Sequence, residues 1–179
     1  LHTAYRRQRQ MCIRDSVNTY QQVWNLVRQA DHSAVGVILD SFHTLSLKGD
    51  PAAIADIPGN KIFFVQMADA PLLAMDVLEW SRHFRCFPGQ GEFDLPGFLA
   101  PIIRTGYSGP LSLEIFNDGF RAAPPRANAV DGLRSLLYLE EKTRQLLAAD
   151  VQPANLDLLF DTPPASRYHG VEFLSLIHI

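Results

Sequence analysis

The sequence predicts an α/β fold built from parallel strand–helix units, as part of a barrel rather than a closed one. Three short runs are apolar almost throughout, which is typical of parallel strands buried on both faces. Helix-like stretches separate these runs, so strand and helix alternate along the chain. Each run stops abruptly on a polar side chain. Because a closed barrel of this kind needs eight strands, three units predict an incomplete barrel.

The predicted elements follow one another in a regular order. In the first helix, residues 17–30, apolar positions recur at intervals of three and four, and Asn18 or Ser16 is the candidate cap. The first strand follows at residues 34–39. A short helix, a strand, a helix, a strand and a long helix are then predicted at residues 51–56, 61–66, 95–105, 110–116 and 128–149.

Two stretches between these elements, residues 67–92 and 118–126, are predicted to be loops. The first is long for a compact α/β unit, and loops of that length are usually functional. It contains Gly89 and Gly91, which carry no Cβ and therefore let the backbone approach a ligand closely.

Both ends of the chain are predicted to lie outside this fold. Residues 1–16 show neither helical nor strand periodicity and look like translated adapter sequence, as do residues 175–179. Residues 17–149 form the barrel part, and the proline-bearing residues 150–169 are predicted to be an inter-domain linker. Residues 170–174 look like the opening strand of another domain, which is cut off.

Composition argues against several classes of function. A net charge of −3 gives no reason to expect a nucleic-acid partner or an anionic membrane. No apolar run approaches the roughly 18 residues that a membrane span needs. Only two cysteines occur, Cys12 and Cys86, so we expect a reducing compartment, the cytoplasm, and an inert thiol at Cys86.

The polar residues that end the three strands are the candidate site. Asp40, Gln66 and Glu114 terminate successive strands, and the carboxyl ends of parallel strands meet at one rim. Two carboxylates and an amide oxygen suit a hard divalent cation. His43 follows Asp40 by three residues and is the best acid–base candidate, because its pKa lies near working pH.

Taken singly, these residues have simpler interpretations. Asp40 could merely cap the next turn, and His43 could be a packed or solvent-exposed histidine. Arg85 could pair with a nearby acid such as Glu92 or Asp94. Order and spacing together, more than any one residue, indicate a site.

Several motifs resemble those of a known family. The general ones are Asp40-x-x-His43, the Pro-Gly-x-Gly of residues 88–91, and the Gly-Tyr-x-Gly of residues 106–109 before the strand that ends in Glu114. They resemble the sugar phosphate isomerase/epimerase superfamily of xylose isomerase-like TIM barrels. More specific segments resemble the bacterial 3-dehydroshikimate dehydratases that carry a 4-hydroxyphenylpyruvate-dioxygenase-like domain behind the barrel. These segments are DSFHT, SRHFRCFPGQG and EIFNDGF, at residues 40–44, 81–91 and 114–120.

The resemblance implies that residues 17–149 are the C-terminal half of a (β/α)8 barrel and that residues 170–174 begin the dioxygenase-like domain. Matched residue by residue, it implies three metal ligands, a catalytic histidine and two substrate-binding residues: Asp40, Gln66 and Glu114; His43; Ser81 and Arg85. The metal would be Mg²⁺, Mn²⁺ or Co²⁺. The family's fourth ligand, a glutamate on an earlier strand, falls near Arg9, where this sequence has none. We therefore expect this chain by itself to be inactive.

The reaction implied is the conversion of 3-dehydroshikimate to protocatechuate in quinate and shikimate catabolism, a lyase reaction that removes a proton next to a ketone and then loses water. A sugar or sugar phosphate isomerase or epimerase is the nearest alternative, because such enzymes use the same ligands. A non-catalytic fragment or binding module is the second alternative. The oligomeric state is left open, with a homo-oligomer of the full-length protein as one option.

Overall fold

Three parallel strands form the centre of the structure, a computed structural model that describes residues 17–150. In chain order these are β1 (Val37–Asp40), β2 (Ile62–Met67) and β3 (Leu111–Leu113), and they are neighbours in the sheet in that same order. The register aligns Asp40 with Gln66, and Gln66 with Ser112. The predictions made for residues 1–16 and 151–179 concern parts of the chain outside the described range.

Helices connect the strands and cover one face of the sheet. The α-helices are α1 (Tyr20–Ala30), α2 (Ser41–Ser46), α3 (Val77–His83), α4 (Leu95–Arg104), α5 (Asp118–Ala122) and α6 (Pro125–Asp150). Two short 3₁₀ helices, Ala52–Asp56 and Gly59–Lys61, precede β2. The predicted α/β architecture with a parallel sheet is confirmed. Within residues 17–150, no helix is long and apolar enough to cross a membrane.

Local hydrogen bonds explain where the helices begin. Thr19, rather than Asn18 or Ser16, caps α1, and it forms a reciprocal capping box with Gln22. The short helix at residues 52–56 is of the 3₁₀ type, and the Asp50 carboxylate accepts a hydrogen bond from the amide of Ala52 at 2.8 Å. These are small corrections of boundary and type.

Three helices lie where the sequence predicted none. The connection over residues 67–92 contains α3, whose first amides donate to the carboxylate of Asp76. Helix α2 starts directly after β1, because the Asp40 carboxylate caps it. Residues 118–126, predicted to be a loop, hold α5 and the start of α6. Each is a short polar-capped stretch whose apolar periodicity spans too few residues to be detected.

The hydrophobic core lies between the sheet and the helices. Its strand members are Val37, Leu39, Ile62, Val65 and Met67, and α4 adds Leu95, Phe98, Leu99 and Ile102. The opposite face of the sheet is more open, since Ile38 is 61% exposed. Because side chains alternate along a strand, Asp40 lies on this open face with Ile38, and their register partners Gln66 and Phe64 lie beside them.

Candidate active site

Asp40, Gln66 and Glu114 meet at the carboxyl end of the sheet, as predicted. Asp40 and Gln66 are register partners in β1 and β2. Glu114 directly follows β3, and its amide donates to the carbonyl oxygen of Met67 at 3.2 Å, which continues the pairing of the two strands. The Gln66 side chain is close enough to Glu114 to lower the pKa of that carboxyl. Three oxygen-bearing side chains from three adjacent strands therefore share one rim.

Arg85 lies in the middle of this group. Its Nη1 atom is 3.1 Å from Oδ2 of Asp40 and 3.0 Å from Oε2 of Glu114, so one nitrogen pairs with both carboxylates. The side chain is only 1% exposed. The rings of Phe42 and Phe116 lie 4.6 and 5.2 Å from its Cζ atom. A planar cation against two aromatic rings is stabilised by cation–π attraction as well as by charge.

The alternative ion pair of Arg85 with Glu92 or Asp94 does not form. The Glu92 carboxylate instead accepts from the amide of Leu72, and that of Asp94 from the amide of Gly97. Both acids hold loop and helix backbone, whereas Arg85 turns towards the strand ends.

Ser81 lies in α3, where it holds Arg85 from the other side. Its hydroxyl oxygen accepts from Nη2 of Arg85 at 2.8 Å, and its carbonyl oxygen accepts from Nε at 3.0 Å. Ser81 and Arg85, predicted together as substrate-binding residues, are thus direct neighbours. The four-residue spacing reaches from the last turn of α3 into the segment that follows it.

His43 is placed beside both charged partners. Its Nε2 atom is 3.6 Å from Oδ2 of Asp40 and 3.4 Å from Nη2 of Arg85. Among residues 17–150, no hydrogen-bond partner faces its buried Nδ1 atom. Burial and the nearby Arg85 outweigh the attraction of Asp40 and lower the pKa of His43 below its ordinary value of 6.5. The imidazole is therefore neutral at pH 7.

The two carboxylates have pKa values shifted in opposite directions. Burial would raise the pKa of Asp40, but Arg85, His43 and a backbone hydrogen bond together lower it. Burial raises the pKa of Glu114, and the negative charge of Asp40 adds to the rise, while Arg85 opposes it. Groups of one kind with pKa values pushed apart are typical of functional sites.

The donor set fits a hard divalent cation. Asp40 and Glu114 offer carboxylate oxygens and Gln66 an amide oxygen on this rim, which is the ligand chemistry of Mg²⁺ and similar ions. Among residues 17–150, no group of three or more His, Cys, Asp and Glu side chains is arranged to hold a metal ion, and the candidate set therefore includes the amide of Gln66. The two carboxylates already share one positive charge, that of Arg85.

A serine hydroxyl ties β1 to β2 just behind the site. The Oγ atom of Ser41 donates to the carbonyl oxygen of Ala68 and accepts from the amide of the same residue, both at 2.8 Å. Ser41 is fully buried and directly follows Asp40. This reciprocal pair fixes the chain beyond both strand ends.

Within the described residues, the glycines of the residue 86–93 segment allow close approach to other parts of the protein. A Cβ atom on Gly91 would lie 2.3 Å from Oδ1 of Asp69 and 2.5 Å from the backbone of Ala70. Gly89 has a φ of +86° and faces the ring of Tyr138. The close approach is therefore to the protein itself, and Asp69 is a residue that the sequence argument missed.

Phe42 and Phe116 were missed as well. Each stands near a predicted site residue in the sequence, Phe42 next to His43 and Phe116 two residues after Glu114. That adjacency was the available signal for both rings.

Comparison with known proteins identifies the family. A sequence profile described as "Xylose isomerase-like TIM barrel" matches residues 8–139. The chain belongs to this family. A solved xylose isomerase-like TIM barrel/4-hydroxyphenylpyruvate dioxygenase fusion protein is 81% identical to this member, with a TM-score of 0.73 over 76% of the chain and 22% of that protein.

Two further similar proteins are a curated enzyme and a solved structure. A 3-dehydroshikimate dehydratase from Pseudomonas putida is 80% identical over 158 residues, which is 88% of this chain and 25% of that protein. The chain thus spans about a quarter of the length of this curated relative. A crystal structure of IOLI protein with a bound zinc atom is 24% identical, with a TM-score of 0.64 over 71% of the chain and 45% of that protein. At that identity the likeness concerns the xylose isomerase-like fold alone.

Proposed function

We propose that this chain supplies the active-site rim of a metal-dependent 3-dehydroshikimate dehydratase, a lyase that forms protocatechuate in quinate and shikimate catabolism. The observation that carries the proposal is the high identity to the Pseudomonas putida dehydratase over most of the chain. The convergence of Asp40, Gln66, Glu114, His43 and Arg85 supports it. The partner is accordingly a small molecule, 3-dehydroshikimate.

Asp40, Gln66 and Glu114 are proposed to hold a divalent cation, Mg²⁺, Mn²⁺ or Co²⁺. When bound, the cation supplies Lewis-acid stabilisation of the negative charge that develops on the substrate ketone oxygen. An amide in place of a third carboxylate neutralises less of the cation's positive charge, so more of that charge is left to stabilise the ketone oxygen. The fourth ligand is expected from outside the described residues.

His43 is proposed to move the proton. Because its pKa is lowered, the imidazole is neutral at pH 7 and its ring can accept the proton from the carbon next to the ketone. Nε2 is the nitrogen that faces the charged groups. Returning that proton to the departing hydroxyl completes the loss of water.

Arg85 and Ser81 are proposed to bind the substrate carboxylate. A guanidinium presents a rigid fork of donors that matches a carboxylate, which lysine cannot. The two ring contacts and the bonds to Ser81 fix the plane of the guanidinium, and a cation bound by Asp40 and Glu114 would release the Nη1 donors that now pair with these carboxylates. Such preorganisation lowers the entropic cost of binding.

The remaining proposals concern the larger protein. We propose that residues 17–149 are the C-terminal half of the barrel, that residues 150–169 link it to a dioxygenase-like domain opening at residues 170–174, and that residues 1–16 and 175–179 are foreign. The two-cysteine composition supports a cytoplasmic location.

A chimera tests the activity. Residues 17–150 would replace the matching segment of the Pseudomonas putida relative, and protocatechuate would be measured after adding 3-dehydroshikimate with Mg²⁺, Mn²⁺ or Co²⁺. We expect product that disappears with a chelator and in Glu114→Ala or His43→Ala. Glu141→Ala, an exposed acid on α6, is the control that should keep full activity.

The same chimera separates the alternatives. A folded, metal-loaded chimera that makes no protocatechuate but interconverts sugars would favour the isomerase and epimerase branch. A chimera that binds metal and neither reacts nor isomerises would favour a binding module. The 179-residue chain alone is expected to be inactive in either assay.

A further inference from the structure

A second buried carboxylate lies close to the site and takes no part in the proposed chemistry. Asp69 comes two residues after β2 and is 2% exposed. Three backbone amides donate to its two oxygens, those of Ala70 at 2.8 Å, Phe93 at 3.0 Å and Gly89 at 2.9 Å. Ala70 and Phe93 use Oδ1, whereas Gly89 uses Oδ2. With both oxygens occupied, Asp69 is a poor candidate for a metal ligand or a base.

The backbone of Asp69 is paired with the residue that follows Arg85. The Asp69 amide donates to the carbonyl oxygen of Cys86 at 2.9 Å, and the Cys86 amide donates back at 2.8 Å. The amide of Glu92 donates to the carbonyl oxygen of Ala70 at 3.0 Å. Residues 86–93 therefore wrap around residues 69–70, and both ends of the wrap are fixed.

Arg85 itself is held between this wrap and the end of β3. Its amide donates to the carbonyl oxygen of Phe116 at 3.1 Å, and its carbonyl oxygen accepts from the Asn117 side chain at 3.0 Å. The Arg85–Cys86 peptide thus bridges the chain after β2 and the chain after β3. A shift of the backbone on either side of this peptide would therefore be passed on to Arg85.

We propose that Asp69 is a positioning residue that holds residues 86–93 in place and thereby fixes Arg85 among the strand-end carboxylates. Gly91 is the complementary part, because only a residue without Cβ leaves room for the Asp69 carboxylate. The proposal rests on the proposed function for the role of Arg85 as a substrate-binding residue. Its structural content concerns the placement of Arg85 and stands independently of the substrate.

Two substitutions, each made in the full 179-residue chain, disrupt the contact between Asp69 and residues 86–93 from opposite sides. Asp69→Asn keeps the side-chain shape but replaces one oxygen by an NH2 donor. With the remaining oxygen at the Oδ1 position, the amides of Ala70 and Phe93 keep their acceptor and the amide of Gly89 loses its own. Gly91→Ala leaves Asp69 intact and pushes the segment away. Asp69→Ala removes all three bonds, and Asn should rescue part of its effect. Asp94→Asn, which alters an exposed helix cap, is the matched control.

Arginine labelling by phenylglyoxal, followed by mass spectrometry, reports whether the Arg85 guanidinium stays buried. We expect Arg85 to label about tenfold faster or more in Asp69→Asn, because losing a hydrogen bond to a charged group opens such a segment by that order. Gly91→Ala should raise the labelling in the same direction, because its Cβ displaces the segment. Hydrogen exchange at the amide of Gly89 should rise in parallel. Arg134, which is 74% exposed, labels equally in all variants and serves as the internal standard.

Two results would overturn the proposal. Unchanged Arg85 labelling, with faster exchange at Gly89 in both variants, would mean that Asp69 orders the loop without positioning Arg85. An equal rise in Asp94→Asn would mean general loosening. If Asp69→Ala fails to fold, Asp69→Asn and Gly91→Ala still decide. Since no turnover is measured, a failed dehydratase assay leaves this result standing, and the reverse also holds.

Discussion

The carboxyl end and the amino end of the three-stranded sheet use polar groups in different ways. At the carboxyl end, charged side chains are buried against one another, with Arg85 between Asp40 and Glu114. At the amino end, backbone packs closely on backbone, since a Cβ on Gly59 would lie 2.5 Å from the carbonyl oxygen of Thr105. There Lys61 donates to the carbonyl oxygen of His32 at 2.8 Å, with no carboxylate involved.

This difference indicates that the carboxyl end of the sheet serves binding or reaction, whereas the amino end serves stability. Buried charges are costly to hold, and proteins retain them where they bind or react. Close backbone packing contributes to stability and offers no reactive group. In barrels of this family's type, functional residues come from the carboxyl ends of the strands, whereas the opposite face serves stability. The following predictions test that division.

The largest effect is expected from Arg85→Met. Removing the guanidinium leaves two buried carboxylates without their shared cation, which should cost about 3–5 kcal/mol of unfolding free energy. Urea denaturation measures it. Arg134→Met, which breaks the exposed pair with Asp131, should cost less than about 1 kcal/mol. Similar losses in both variants would refute the special status of the carboxyl end.

A smaller effect is expected from Gly59→Ala at the amino end. The three atoms nearest the new Cβ are backbone atoms of residues 105–107, which must shift, so we expect a loss of about 1–3 kcal/mol. Gly119→Ala, where the nearest atom is a side-chain oxygen of Asn117 at 3.2 Å, should cost less. Phenylglyoxal labelling of Arg85 should stay unchanged in Gly59→Ala. Faster labelling would show that the two ends are coupled.

His43 gives the carboxyl end a pH dependence. Its pKa is lowered in the folded state, so the unfolded chain takes up the proton first as the pH falls through 6.5. Stability from this group is complete above pH 6.5 and is lost below it, by at most about 1.4 kcal/mol per pH unit. Urea denaturation from pH 7.5 down to about pH 5 should show a shallower decline in His43→Gln. Parallel curves would contradict this prediction.

The smallest effect concerns Cys86, which directly follows Arg85. Burial, together with the negative charge of Asp69, raises the pKa of its thiol to about 12. Because the thiolate is the reactive form, iodoacetamide at pH 8 should label Cys86 slowly in the folded chain and rapidly in urea. Stability linked to this thiol is present below pH 9 and is lost as the pH rises towards 12. Fast labelling of the folded chain would indicate that residues 86–93 open to solvent.

The strands and the meeting of Asp40, Gln66 and Glu114 were predictable from sequence. Apolar runs that end on polar side chains carry this information, because parallel strands bring their carboxyl ends together. The place of Arg85 was not predictable from local pattern. Its partners Asp40 and Glu114 lie 45 and 29 residues away, and nearer acids offered equally good pairing.

Asp69 and α3 escaped prediction for related reasons. Asp69 uses its carboxylate on amides 20 and 24 residues further on, and such contacts leave no periodic pattern. Helix α3 has only seven residues, and its buried members include Ser81, which is polar. Its one local signal was Asp76 as a helix N-cap, and that signal lay within a long stretch that was predicted to be a loop.

The Ser41 hydroxyl has a consequence for how the site responds to its ligands. It satisfies both backbone groups of Ala68, so the strand ends that bear Asp40 and Gln66 are joined without any help from a bound cation. The side chains of Asp40 and Gln66 should therefore keep their separation whether or not a cation is present. A cation bound there would leave the backbone in place and would act instead on the side chain of Arg85, whose Nη1 atom pairs with Asp40 and Glu114.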